Sequence, residues 1–200
     1  MIRKPLILKF FYTKLIKQLQ EKSFMEDVWT KTLNVDVLFK NVYQHKILNI
    51  KDKKLAETNF KIIHGILPCA LNLKRWKKKN TDKCDICNNT ENVIHLIYEC
   101  QYAKSIWSKV EKALNISLGP SNIILGHNLE QNIVLVTSLI TYLIYKEWVN
   151  LSINNKKRQI IPNLKRYACD LEYKKQVYSK TNKMSQYENI LDQVISHLLD

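Results

Sequence analysis

Glycine and proline are scarce in these 200 residues, with 3 and 4 occurrences. The chain therefore has few of the residues that punctuate β-hairpins and tight turns. No apolar run approaches the roughly 20 residues that cross a bilayer. The most apolar stretch, 133–145, is interrupted by Thr137, Ser138 and Thr141 and reads as a core helix, so no membrane partner is expected. At the amino terminus Lys9 breaks the apolar Leu6, Ile7 and Leu8 almost at once, unlike a secretory leader. The context reads as intracellular, in nucleus or cytoplasm. Five cysteines, an odd number, do not form a disulfide framework in a reducing compartment. G-x-G-x-x-G, G-x-S-x-G, H-E-x-x-H and a phosphate-cradling loop are all missing, so an enzyme is not expected. Acids are also few: 18 Asp and Glu against 32 Lys and Arg give a net charge of +14. That excess points to an anionic partner, with nucleic acid first, although a merely lysine-rich surface has the same composition.

Apolar residues recur mostly three and four apart, the spacing of helices, and the fold class expected is all-α. Leu8, Phe11, Leu15 and Leu19 share one face of a helix starting at Pro5. Ser23 and Glu26 form a capping box for a short helix through Trp29 and Leu33, and a further helix covers 36–47. A helix from Lys51 presents Leu55, Phe60, Ile63 and Ile66 and stops at Gly65 to Pro68, where glycine suits a left-handed helix end. A short basic helix covers 68–78, a polar loop 80–92, and helical periodicity resumes from Ile94 to Leu114. Beyond Gly119-Pro120, helices are expected over 130–151, 163–180 and 185–199, the last with a capping box of Ser185 and Glu188. The basic cluster Lys156, Lys157 and Arg158 reads as a solvated helix end. The segments divide as 1–48, 49–118 and 119–200, with Gly119-Pro120 as the best boundary.

Cys84, Cys87, His95 and Cys100 stand in the pattern C-x2-C-x7-H-x4-C. Two residues between cysteines let a tight turn aim both thiolates at one point. On a regular helix, positions five apart lie roughly 140° out of line, so the backbone must end or distort near Cys100 for it to join His95. Four such ligands complete a tetrahedral zinc site with no open position, which is a structural rather than catalytic arrangement. One zinc ion is expected, in a small CCHC knuckle inserted between helices of an irregular array. Cys69 and Cys169 have no partner pattern and read as small core residues.

The phrase Phe60-Lys61-Ile62-Ile63-His64-Gly65-Ile66-Leu67-Pro68, then Leu73, Arg75 and Trp76, then Cys84, Cys87, His95-Leu96, Cys100 and Trp107, resembles the zinc-binding domain at the carboxyl end of reverse transcriptases from LINE-type (non-LTR) retrotransposons. The resemblance is specific over about 55–107 and looser for Leu125-Gly126 and 139–148. Cys69 stands where that family often has threonine. The resemblance implies a domain that assists the element's polymerase by contacting template RNA or target DNA. A polymerase palm needs adjacent aspartates for two metal ions, and no Asp-Asp pair occurs in the chain. The chain thus reads as the end of such a protein standing alone, without polymerase or endonuclease.

Lys74, Arg75, Trp76, Lys77, Lys78 and Lys79 pack five cations and an indole just before the knuckle. Cations release counterions from phosphates, and an exposed indole stacks on an unpaired base. The competing readings are a solvated lysine face and a tryptophan that packs in the core or anchors under the knuckle. Two functions follow. The favoured one is a nucleic-acid-binding zinc domain tolerant of sequence, with RNA or DNA as partner; the other is a structural or protein-interaction remnant whose charge is only compositional. His64 reads as an ordinary residue in the last turn of a helix.

Overall fold

Helix follows helix through residues 24–153, 164–179 and 188–199, the parts described by the computed structural model of the protein. The expected helix from Pro5, the capping residues Ser23 and Ser185, and the cluster Lys156, Lys157 and Arg158 lie outside the described residues. Nine α-helices occur among the described residues: α1 Phe24–Leu33, α2 Phe39–Tyr43, α3 Lys53–Ile63, α4 Ala70–Arg75, α5 Gln101–Leu114, α6 Pro120–Leu125, α7 Gln131–Ile153, α8 Leu164–Ser179 and α9 Glu188–Leu199. Two π-helical turns, Gln44–Leu48 and His95–Glu99, join them, and the described residues contain one isolated bridge, Lys83 to Thr90, but no strand. The fold is all-α. The helix expected over 36–47 begins only at Phe39 and finishes in the first π turn.

Local chemistry sets the ends of the helices that lead to the knuckle. Asp52 caps α3 by accepting from the Lys54 and Leu55 N–H groups at 2.9 and 3.4 Å, as a short side-chain oxygen does at a helix start. At the other end Gly65 adopts φ +65°. The Gly65 N–H donates to the Ile62 carbonyl and the Ile66 N–H to the Lys61 carbonyl, both at 2.9 Å, the paired bonds of a left-handed helix stop. A Cβ at Gly65 would lie 2.6 Å from Met25 Cε, the movable end of a flexible side chain, so it is the left-handed backbone more than this contact that calls for glycine. The Trp29 indole donates to the Ile63 carbonyl at 2.7 Å, which satisfies a helix-end acceptor inside the core. Leu55 and Ile63 are buried as expected. Phe60 and Ile66, expected on the same face, are 43% and 46% exposed.

One apolar cluster runs from Trp29 through Leu55, Leu67, Leu96, Trp107 and Leu139 to Leu198. The long helix α7 crosses it with Val134, Val136, Leu139, Ile140, Leu143 and Ile144 all buried, and α9 closes it with Leu191, Val194 and Leu198 against α5 and α8. No helix among the described residues is long and apolar enough to cross a membrane.

Lys46, in the first π turn, is 1% exposed. Its ammonium donates to the Ile123 carbonyl at 2.8 Å and to Ser138 Oγ at 3.2 Å, and no acid is bonded to it among the described residues. The Ile123 carbonyl belongs to the end of α6, where a helix leaves acceptors unpaired and favours a cation. Asn59 Nδ2 donates to the Lys46 carbonyl and to Ser138 Oγ at 2.8 and 3.0 Å, so a short polar chain ties the π turn, α3, α6 and α7 together. Burial lowers the Lys46 pKa from 10.5 to about 7. Because the folded pKa is the lower one, the ammonium penalises folding fully below about pH 7 and is relieved as pH rises toward 10.5. Lys46→Met should therefore be more stable than the parent at pH 6. That advantage should shrink by a few kcal/mol, on the order of 1.4 per pKa unit, when chemical denaturation is repeated at pH 10. A constant difference between the two proteins across that range would show that Lys46 does not titrate in the folded state.

Candidate metal centre

Cys84, Cys87, His95 and Cys100 converge although they span a loop and the start of a helix: one ligand atom from each lies within 4.8 Å of all the others. The 81–91 segment forms a small hairpin. Lys83 bridges Thr90, the Cys84 N–H donates to the Asn89 carbonyl at 2.8 Å, and the Asn88 N–H returns to the Cys84 carbonyl at 3.0 Å. Asn88 takes φ +57°, a conformation that asparagine tolerates better than most side chains. The Ile86 N–H points at Cys84 Sγ at 3.5 Å. This turn aims the two sulfurs of the C-x2-C pair to one side.

The other two ligands depend on the second π turn. Asn92 opens it, its side-chain oxygen accepting from the His95 N–H at 2.7 Å. The Cys100 N–H then donates to the His95 carbonyl, five residues back, at 2.9 Å. A five-residue ring is the π geometry, and it brings positions 95 and 100 to the same side, which an α-helix would not do. At Cys100 the backbone leaves the helix with φ −57° and ψ 137°, and α5 begins afresh at Gln101. The distortion expected from the five-residue spacing is present. Its cost is a set of carbonyls without helical partners, and the Trp107 indole donates to one of them, the Ile97 carbonyl, at 2.7 Å.

The distances fit a zinc ion. Ligands at about 2.3 Å from a tetrahedral centre place two sulfurs about 3.8 Å apart. The Cys84 and Cys100 sulfurs are 3.7 Å apart, far beyond the roughly 2.05 Å of a disulfide. Cys87 Sγ and His95 Nε2 are 3.1 Å apart, shorter than the roughly 3.5 Å of a regular tetrahedron, so this edge of the site is the tighter one. Three of the ligands are buried and Cys87 is half-buried. The hydrogen bond with Cys100 draws the Cys84 thiol far below its ordinary pKa; bonds from the His95 ring and from the Cys87 and Ile86 backbones add to this, and burial opposes it. A site that favours thiolate favours a soft divalent ion. Three sulfurs and one imidazole leave no open position, which makes the role structural.

The remaining candidates fall elsewhere. Cys69 is fully buried, as expected, but Cys169 is exposed on α8 and is not the core residue its sequence neighbourhood suggested. Neither joins the cluster. Lys74, Arg75, Trp76, Lys77 and Lys78 are exposed and Lys79 is half-buried. Trp76 is 45% exposed, so it is not a core residue. It is the C-terminal cap of α4, and Lys77 follows in the left-handed conformation at φ +58°. The Lys77 and Lys78 N–H groups donate to the Lys74 and Leu73 carbonyls at 2.9 and 2.8 Å, a helix stop that usually takes glycine. Lys74 pairs with Asp82 at 3.3 Å and Lys79 with Asp85 at 3.9 Å, so two of the five cations reach back to the knuckle. His64 is the cap residue of α3, its ring 4.2 Å from that of Phe60 and 5.8 Å from that of Tyr43. Burial keeps its pKa below the ordinary imidazole value.

A family model described as zinc-binding in reverse transcriptase matches residues 8–107, half of the 200-residue chain. Comparisons with curated proteins and with solved structures returned no match.

Elemental analysis of the purified chain should find one zinc per molecule. Cys87→Ser should lose it together with the order of the hairpin, because metal binding and folding are one process in so polar a segment. Cys69→Ser with Cys169→Ser should keep it. Zinc lost from that double variant while the helical fold survives would refute the ligand set.

Proposed function

The chain belongs to the family of zinc-binding domains in reverse transcriptase, and from that membership we propose a nucleic-acid-binding zinc domain of the non-LTR retrotransposon kind, which works by binding rather than by catalysis. The observation that carries this reading is the exposure of Trp76 between Arg75 and Lys77 at the end of α4. An indole fixed at a helix cap offers a flat face for an unpaired base. Arg75, Lys77 and Lys78, exposed beside it, carry charge for phosphates. Lys74 and Lys79 are less free to do so, since they pair with Asp82 and Asp85 of the knuckle. The net charge of +14 adds a long-range attraction that speeds encounter with any polyanion. Contacts of this kind position a backbone without reading its sequence, so RNA or DNA is bound with little sequence preference.

A second reading, a surface for protein partners, draws on other side chains. Phe24, Phe60 and Ile66 are 79%, 43% and 46% exposed, and Met25 and Gly65 bring the first and last of these segments together.

Binding of labelled single strands and duplexes across a range of salt separates the two. Each phosphate contact contributes about 0.9 to the slope of log affinity against log salt on duplex DNA and about 0.7 on single strands. Changing Arg75, Lys77 and Lys78 to alanine should flatten that slope by up to the equivalent of three contacts and weaken unrelated sequences alike. Trp76→Ala should cost roughly 1–3 kcal/mol on single strands, leave the slope nearly unchanged and leave thermal stability intact. Full affinity in both variants would assign these side chains to a solvated face and move the protein-interaction reading ahead.

A further inference from the structure

We propose that Glu91 makes the basic segment conditional on the metal, acting as the positioning residue that transmits closure of the knuckle to α4. This rests on the nucleic-acid reading for its purpose, though not for its physical content.

The helix α4, Ala70–Arg75, has six residues, too few to persist by its own hydrogen bonds. Cys69 stands at its N-cap with extended backbone and makes no side-chain cap bond. Its first two donors are satisfied from the hairpin. The Ala70 N–H donates to Glu91 Oε1 at 3.1 Å, and the Leu71 N–H donates to the Glu91 carbonyl at 3.0 Å. The carboxylate is thus set at the positive end of the helix, and Glu91 is 1% exposed. A buried carboxylate is tolerated only where donors meet it.

Glu91 is itself held by the hairpin. Its N–H donates to the Asp82 carbonyl at 2.8 Å, next to the Lys83 to Thr90 bridge, and in sequence it lies midway between Cys87 and His95. The Lys74–Asp82 and Lys79–Asp85 pairs also join α4 and the residues after it to the knuckle, but they are partly exposed and therefore weak. At the far end of α4, Lys77 keeps φ +58°, a strained choice for a lysine that lasts only while the surrounding structure enforces it. That cap is what turns Trp76, Lys77 and Lys78 outward. The sequence of dependence runs from four converged ligands to a closed hairpin, to a fixed Glu91, to a capped α4, to a presented basic segment.

Hydrogen exchange read by mass spectrometry on the full chain tests this without nucleic acid, with zinc and after chelation, for the parent, Glu91→Ala and Glu91→Gln. In the parent, zinc should slow exchange both in 82–91 and in 70–78. In Glu91→Ala zinc should still bind at one per chain and slow 82–91, while its protection of 70–78 falls by about tenfold, the scale of one charge-assisted hydrogen bond. Glu91→Gln retains an acceptor oxygen and should restore most of that protection. Three results overturn the proposal: equal protection of 70–78 in the parent with and without zinc, full zinc-induced protection in Glu91→Ala, or no recovery in Glu91→Gln. If Glu91→Ala fails to bind zinc, the parent comparison and Glu91→Gln still decide. Coupling without salt-dependent nucleic-acid binding would defeat only the functional reading, and binding without coupling would defeat only this one.

Discussion

The segment between α4 and α5 is arranged by the need to bring three sulfurs and one imidazole to a single point. The hairpin of 81–91 contains almost no apolar side chain besides its cysteines and Ile86, so burial alone cannot close it. For small zinc modules the apparent free energy of metal binding is about 10–16 kcal/mol at neutral pH, which is enough to order a polar turn. The same requirement explains the π turn at His95–Glu99. A regular helix would carry Cys100 away from His95, and one added residue in the hydrogen-bonded ring brings it back.

Carbonyls stranded at irregular helix ends are met by side chains from neighbouring helices. Trp107 donates its indole N–H to a carbonyl of the π turn, as Trp29 does for the last turn of α3. In both places a large aromatic fills the core while its polar edge satisfies a stranded acceptor. Asn72 does similar work from α4, donating to the Gly65 and Leu67 carbonyls at 2.9 and 2.8 Å and so fixing the turn between α3 and α4. The helix that carries the basic segment is tied to the core on one side and to the knuckle on the other, yet it leaves Trp76 outside both.

Much of this was legible in the residues, for reasons that also mark where legibility stopped. Cysteine spacing is chemically restrictive, so Cys84, Cys87, His95 and Cys100 and even the break at Cys100 could be anticipated, and Gly65 before Pro68 announced a left-handed helix end. Apolar content marked α7 as a core helix, and its side chains are buried, but spacing misplaced Phe60 and Ile66, because an apolar residue at the margin of a helical face reads the same whether covered or not. Trp76 and Cys169 had the same ambiguity, and the structure exposes both. Lys46 gave no warning, since a lysine in a helix is ordinarily at the surface and only its three-dimensional neighbours, Ile123 and Ser138, make burial tolerable. Glu91 was hidden for a related reason: in a polar loop an acid looks solvated, and its helical partners at Ala70 and Leu71 lie some twenty positions earlier in the chain.

These four side chains hold one zinc ion as a closed structural site. X-ray absorption at the zinc edge of the purified protein reads the coordination shell directly. Three sulfurs at about 2.3 Å and one nitrogen at about 2.0–2.1 Å, with no oxygen, are the predicted shell. A shell containing a water oxygen, or only two sulfurs, would contradict a closed site built from Cys84, Cys87, His95 and Cys100.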